Sequence, residues 1–158
     1  VVSNLADRRF AMIFTNQEIM TDSIESRFIG AEKLSVNLDK FTYLANKTSV
    51  TFAELKGMSF IVINDIGTWK PIIQANIPDA KFLYQEEADS FTEITQYSSF
   101  PYFSTNISGA SAHLPSQDDD RVRITISDDA GAMNFYVAYL KAQKSKVSPL
   151  IKLLSQSW

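Results

Sequence analysis

Short apolar runs alternate with amphipathic segments through the middle of the chain. The run from Met58 to Asn64 is followed by a segment typical of a helix, Thr68 to Asn76, and then by an extended run, Lys81 to Gln85. A second helical segment, Ser90 to Ser99, and a third extended run, Tyr102 to Thr105, complete the series. Strands and helices that alternate with such short joints are typical of parallel βαβ units. The pattern therefore predicts a three-stranded parallel α/β unit.

A ligand position follows from this unit. Right-handed crossovers place the joints after all three strands on one edge of the sheet, and ligands of such sheets bind at that edge beside helix N-termini. The segment Asp65 to Thr68 lacks the pattern of a phosphate loop, but the helix that follows it has an N-terminus suited to a carboxylate. Two capping boxes are predicted, at Ser90 to Glu93 and at Thr51 to Glu54, and Gly57 is expected to end the turn that the second one opens.

The N-terminal third is less regular. Phe10 to Phe14 is a continuous apolar run, typical of a strand buried on both faces. Residues 19–32 show no clear period, and we interpret them as a loop. Lys33 to Ala45 alternates with a change of phase after Asp39, which indicates either a strand that passes between two lobes or a surface bulge.

The C-terminal third contains two predicted strands and a helix. Arg121 to Ile126 alternates cleanly and is typical of a half-exposed strand, with both arginines on its outer side. Met133 to Leu140 is apolar on both phases, which fits a strand between or beneath two lobes. Ser148 and Pro149 are interpreted as the N-cap and first residue of a closing helix.

Composition excludes several classes of protein. The 158 residues are 45% hydrophobic with 11 Phe, which is enough for a sizeable core, and the net charge of −3 argues against a nucleic-acid or anionic-membrane surface. The absence of cysteine excludes disulfides and thiolate metal sites. No apolar run approaches the roughly 18 residues of a membrane span and no signal peptide opens the chain, so the cytoplasm is the expected location.

Candidate catalytic groups are sparse. His113 is the only histidine, which excludes a site built from several histidines. Asp118 to Asp120 lacks the spaced ligands of a calcium loop and is interpreted as solvated. Glu86, Glu87 and Asp89 follow a predicted strand, where a ligand-orienting or capping role is favoured over acid–base catalysis, and Trp69 fits a pocket wall as well as ordinary packing. The sequence favours binding over catalysis, with neither a metal nor a cofactor expected.

The order of these segments resembles the effector-binding domain of LysR-type transcriptional regulators. The resemblance is carried by Phe10 to Ile13, Leu34 to Leu44, Thr51 to Gly57 with Phe60 to Ile63, Glu86 to Ser99, and Val137 to Leu154. The chain departs from the family where Phe10 replaces an aspartate and where Ser99 to Thr105 replaces a glycine-rich turn. The family's first strand, its helix, the following strand and the winged helix-turn-helix have no counterpart in these 158 residues.

The resemblance implies the periplasmic-binding-protein type 2 fold, an α/β fold with two Rossmann-like lobes joined by two hinge strands. Lobe I would comprise residues 1–43 and 127–158, with its N-terminal part missing, and lobe II residues 44–126. A small-molecule effector, with an organic anion as the candidate class, would bind between the lobes of a homodimer, and DNA would be contacted only through the winged helix-turn-helix. The implied ligand-binding positions are Phe14, Thr15 and Asn16 in lobe I and Asn64, Asp65, Ile66, Gly67, Thr68, Trp69, Glu86, Ser90, Phe103, Ser104 and Thr105 in lobe II.

Two other functions stay open at this level. An extracytoplasmic solute-binding protein shares the fold but would bring a signal peptide or a lipid-anchor cysteine, and a small α/β enzyme would use Glu86 or Asp89. The apolar strand at Phe10 to Phe14 has few predicted neighbours, so we expect roughly 40–60 further residues upstream to belong to lobe I, the length of a strand–helix–strand unit.

Overall fold

Four α-helices and eight strands make up the part of the chain that the computed structural model describes, residues 2–63, 66–108 and 120–158. The helices are α1 (Val2–Ala6), α2 (Trp69–Asn76), α3 (Ala88–Tyr97) and α4 (Lys144–Ser157). The strands are β1 (Met12–Thr15), β2 (Ile24–Asp39), β3 (Ser49–Val50), β4 (Ser59–Ile63), β5 (Lys81–Gln85), β6 (Tyr102–Thr105), β7 (Arg121–Ile126) and β8 (Ala132–Leu140). Short 3-10 turns lie at Tyr43–Asn46, Ala53–Leu55, Asp129–Gly131 and Lys141–Gln143.

The chain forms two compact units. The first contains Val1–Glu32 and Met133–Trp158, and the second contains Lys33–Ala132. The unit boundary lies inside β2, whereas the expected lobe boundary at residue 43 lies after this strand. The change of phase after Asp39 marks the end of β2, so no bulge is needed to explain it.

The second unit is built on one sheet in the order β3-β7-β2-β6-β4-β5. β4 lies between β5 and β6 and is parallel to both, with Ile63 opposite Gln85 and Ile61 opposite Tyr102. β2 is antiparallel to β6 on one side and to β7 on the other. The predicted parallel βαβαβ unit is therefore confirmed.

β4 is covered on both faces of this sheet. Ile61 packs with Phe91 of α3 and with Tyr102, while Phe60 stacks on Phe103 at a ring-centroid distance of 4.7 Å. Neighbouring side chains of a strand point to opposite faces, so both faces of β4 are covered. This explains the continuous apolar run in its sequence.

The first unit has a three-stranded sheet in the order β1-β8-β2. β1 is antiparallel to β8, with Met12 opposite Tyr139. Helix α4 covers one face, in a core of Ile29, Val137, Tyr139, Val147 and Ile151. A smaller core of Leu5, Ile24 and Ala138 includes α1.

Two predictions of secondary structure in this unit were wrong. Residues 19–32 are not a loop, because β2 begins at Ile24. Its period was hidden because the polar Ser26 is buried while the apolar Phe28 is exposed. The run from Phe10 is not a strand buried on both faces: Phe10 and Phe14 are 56% and 51% exposed, and among the described strands β1 has β8 as its only neighbour.

Helix α4 begins earlier than predicted. It starts at Lys144, so Pro149 lies inside the helix and Ser148 does not cap it. Burial of Val147 against the sheet stabilises the preceding turn, which a local capping pattern does not reveal. The capping box at Thr51 is confirmed: its N–H donates to Glu54 Oε2 at 2.9 Å, and the Glu54 N–H donates to Thr51 Oγ1 at 3.3 Å. Gly57, at φ +76°, follows this turn as expected.

Candidate functional site

The carboxyl ends of three parallel strands meet at one edge of the second unit. The register places the ends of β4 and β5 side by side, and β6 lies on the other side of β4. Parallel strands end at the same edge, so the structure brings together the end of β4 at Ile63, Glu86 after β5 and Thr105 at the end of β6. We call this the strand-end edge. Asn64 and Asp65, also predicted to bind ligand, lie outside the described residues.

The first residue of α2, Trp69, carries a buried donor. Gly67 adopts φ +57°, a conformation that glycine tolerates best, and the helix begins two residues later at Trp69. Trp69 is 6% exposed, and its indole Nε1–H has no hydrogen-bond partner within the described part of the chain. A buried N–H without a partner costs about 1–3 kcal/mol, so this group favours any arrangement that supplies an acceptor.

The start of α3 differs from the prediction. The helix begins at Ala88 with Glu87 as its N-cap and no side-chain cap, so the capping box at Ser90 was wrong. Ser90 lies in the first turn and is half-buried, and Glu86 and Glu87 are exposed. Carboxylates near a helix N-terminus are stabilised by the helix dipole, so the chain's own acids already compensate this end of α3. The first turn of α2, in contrast, contains no acidic residue.

A buried polar pair joins β6 to β2, its neighbour on the side away from β4. Asn37 of β2 donates from Nδ2 to Ser104 Oγ at 2.9 Å and to the Tyr102 carbonyl at 3.2 Å. Asn37, Ser104 and the neighbouring Ser35 are all buried. Asn37 and Ser35 were not among the predicted ligand-binding residues, although their alternation with leucine and valine is visible in the sequence. The signal in the sequence is a row of polar residues on one face of a strand that is buried in the fold.

Thr105 closes the end of β6. Its Oγ1 accepts the N–H groups of Ile107 at 3.2 Å and Ser108 at 3.0 Å, while its own N–H donates to Ser108 Oγ at 2.8 Å. Phe103 stacks on Phe60. Thr105 thus fixes the turn that leaves the sheet at the strand-end edge.

Arg121 holds the far end of α3. Its guanidinium donates to the carbonyls of Phe100 at 3.0 Å, Thr95 at 3.0 Å and Ser98 at 2.7 Å, and it lies 5.4 Å from the centre of the Tyr102 ring. The sequence pattern placed this arginine on an exposed strand face and missed this role. A cation at a helix C-terminus satisfies unpaired carbonyls and complements the dipole, so Arg121 positions the helix that leads from the strand-end edge.

The three remaining predicted residues lie in the first unit, at the end of β1. Phe14 is half exposed. Thr15 Oγ1 accepts the N–H of Gln17 at 3.2 Å, and Asn16 Nδ2 lies 3.8 Å from the sulfur of Met133. These contacts shape the turn after β1.

No cluster of metal ligands is found in the residues that the structure covers. Across 2–63, 66–108 and 120–158 no three His, Asp or Glu side chains are grouped so as to hold a metal ion. His113, Asp118 and Asp119 lie outside the described residues, and Asp120 forms an ion pair with Lys40. Within the same ranges, no helix combines the length and apolar character needed to cross a membrane.

Neither a family model nor a curated protein matches the sequence. Solved structures do. The reduced OxyR regulatory domain from Pseudomonas aeruginosa has a TM-score of 0.67 and 8% identity, over 98% of this chain and 77% of that one. The regulatory domain of MetR, a LysR family regulator from N. meningitidis, has a TM-score of 0.67 and 13% identity, over 98% and 73%.

A full-length regulator bound to DNA is also similar. CbnR in complex with its target DNA has a TM-score of 0.60 and 13% identity, and the match covers 98% of this chain and 54% of CbnR. The chain thus spans about three quarters of the regulatory domains and about half of a complete regulator. Its fold is that of the regulatory domains of LysR-family regulators, the periplasmic-binding-protein type 2 fold.

Proposed function

We propose that this chain is the ligand-sensing domain of a LysR-type transcriptional regulator that acts in the cytoplasm. It binds a small-molecule effector, and that binding controls the contact of a winged helix-turn-helix with DNA. Effector binding biases an equilibrium between two conformations, because a ligand shifts a population by its differential affinity for the two states. In this proposal the domain pairs into homodimers and performs no catalysis.

The observation that carries the proposal is the strand-end edge of the second unit. Three parallel strands end there, the first turn of α2 carries no acid, and the buried Trp69 N–H has no partner among the described residues. A carboxylate matches both features, since helix N-termini and N–H donors favour anions. We therefore propose an organic acid as the effector, with Thr68 and Trp69 at its carboxylate and Ser104 and Asn37 deeper in the site.

The transport reading is less well supported. Each of the three similar proteins described above is a transcriptional regulator, and none is a solute-binding protein of a transporter. An enzyme using Glu86 or Asp89 would need a partner group, whereas both carboxylates are exposed at the start of α3.

The Trp69→Phe variant tests the site. A panel of mono- and dicarboxylic acids with their neutral amides is screened by thermal shift, and the best acid is then titrated by calorimetry. Trp69→Phe keeps an aromatic ring but removes the indole N–H, so affinity for that acid should fall about tenfold, or about 1.4 kcal/mol. Thr68→Ala should weaken binding by about 1–2 kcal/mol.

Trp158→Phe is the matched control, because Trp158 lies in the first unit and is partly exposed. Its affinity for the acid should equal that of the wild type. Equal affinity in Trp69→Phe and Thr68→Ala would refute the site, and amides that bind as well as their acids would refute the carboxylate class.

A further inference from the structure

A groove of about 640 Å³ runs between α4 and β2 in the first unit. Pro149 and Ile151 supply apolar walls, and Ser148 and Ser155 supply hydroxyls. Arg27 of β2 also lines the groove, together with Lys152 of α4. The volume lies in the range of small-molecule sites, about 300–1,000 Å³.

The two cations that line the groove have no ion-pair partner in the described part of the chain. The nearest acid on the same strand, Glu25, is already occupied: it accepts a hydrogen bond from Tyr139 at 2.6 Å and pairs with Lys144 at 2.8 Å. The residues that line the groove thus include two cations and no acid. Arg27 and Lys152 keep their charge available.

Helix α4 adds to the imbalance. Its sequence from Lys144 to Ser157 contains three lysines and no acidic residue. A helix that packs an apolar stripe on the sheet, has no acid of its own and places Lys152 on the groove attracts negative charge. The apolar walls, in turn, favour a molecule that brings hydrocarbon with that charge.

We propose that this groove is a second ligand site, distinct from the strand-end edge, which binds an amphipathic carboxylate. The carboxylate lies between Arg27 and Lys152, and the hydrocarbon part covers Pro149 and the edge of the buried Ile151. A small inorganic anion would leave the apolar walls in water, and a neutral hydrocarbon would leave both cations unpaired. Only a ligand with both parts matches the whole groove.

Octanoate is the probe. Acetate tests the carboxylate without the long hydrocarbon chain, and octanamide tests the chain without the charge. In amide-resolved NMR titrations of the full chain, octanoate should shift residues 27 and 148–156. Acetate and octanamide should each bind at least about tenfold more weakly. Arg27→Gln and Lys152→Gln should each weaken octanoate binding several-fold, and circular dichroism checks that both variants fold.

Lys146→Gln is the matched control, since Lys146 is an exposed lysine of α4 that does not line the groove. Its octanoate affinity should equal that of the wild type. The proposal is overturned if Lys146→Gln weakens binding as much as Lys152→Gln, if octanamide binds as well as octanoate, or if no binding is detected. Shifts confined to residues 66–69 and 102–105 would place octanoate at the strand-end edge and overturn it as well. Sedimentation showing a dimer that buries residues 148–156 and excludes octanoate would assign the groove to a second copy instead.

Discussion

The hydroxyl of Tyr139 joins three elements of the first unit. It donates to Glu25 on β2, and the same carboxylate pairs with Lys144 at the start of α4. The hydrogen bond from Lys144, followed by that from Tyr139, lowers the pKa of Glu25 below its ordinary value of 4.5. Burial, together with the hydrogen bond to Glu25, raises the pKa of Tyr139 to about 12. Both shifts favour the protonation states that hold the three elements together.

These pKa shifts predict how stability depends on pH. A lowered pKa in the folded state adds stability above pH 4.5, and this contribution is lost as the pH falls through the folded pKa of Glu25. The raised pKa of Tyr139 adds stability below pH 10.0, which is lost as the pH rises toward 12. In urea unfolding between pH 3 and 7, Glu25→Gln should lose less stability on acidification than the wild type. The exposed Glu93→Gln should follow the wild-type profile, and equal profiles for all three proteins would refute the role of Glu25.

Gly30 provides a second prediction at this scale. The indole of Trp158 lies over Gly30, so that a Cβ at this position would overlap the ring. Gly30→Ala should therefore lower the free energy of unfolding by about 1–3 kcal/mol, the usual cost of overpacking. In a Trp158→Ala background the same substitution should cost much less. A double-mutant cycle in urea measures the difference, and additive effects would show that the ring does not rest on Gly30.

At the scale of elements, Arg121 links β7 to the end of α3. Its guanidinium binds three carbonyls, so Arg121→Ala leaves all three without this donor. We expect a loss of about 2–4 kcal/mol in unfolding free energy, because hydrogen bonds to a charged group contribute about 1.5–3 kcal/mol and do not add fully. Arg123→Ala, two residues along the same strand and on the exposed face, is the control. Similar losses in both variants would mean that the three hydrogen bonds contribute little.

The elements also show how far local pattern predicts this fold. β5, β6 and β7 were predicted to the residue, because each has a short, regular run bounded by turns. β2 was missed over its first half, since the polar Ser26 is buried while the apolar Phe28, on the same face of the strand, is exposed. The start of α3 was predicted at Ser90, but the helix begins at Ala88. A capping-box sequence suggested the later start, whereas packing of the whole segment determines the observed one. The start of α4 was also predicted too late, for the same reason.

The candidate site was predictable to a similar degree. The strand-end edge follows from the alternation of strands and helices, which the chain order alone reveals. Asn37, Ser35 and Arg121 were missed because their roles depend on contacts between residues far apart in sequence. Asn37 meets Ser104 only once β2 pairs with β6, and the register of that pair cannot be read from either strand alone.

At the scale of the whole molecule, the structure predicts unequal local stability. β1 pairs with β8 alone in the sheet order, and Phe14 is half exposed, whereas β4 lies between two strands with Phe60 and Ile61 fully buried. Opening β1 breaks one ladder and exposes little new apolar surface, so it costs less free energy than opening β4. Amide hydrogen exchange should therefore be faster, by at least about tenfold, in residues 12–15 than in residues 60–63.

β5 serves as the internal control for this experiment. It ends the sheet order of the second unit beside β4, and its Leu83 is exposed, so its amides should exchange at rates between those of β1 and β4. Mass spectrometry of peptic fragments, or amide-resolved NMR, measures all three strands in one sample. Equal protection of β1 and β4 would show that β1 is as firmly held as the central strand, and its description as an exposed edge would then be wrong. Fast exchange in β4 as well would indicate that at least one of its two ladders opens readily, and it would contradict the predicted difference in local stability.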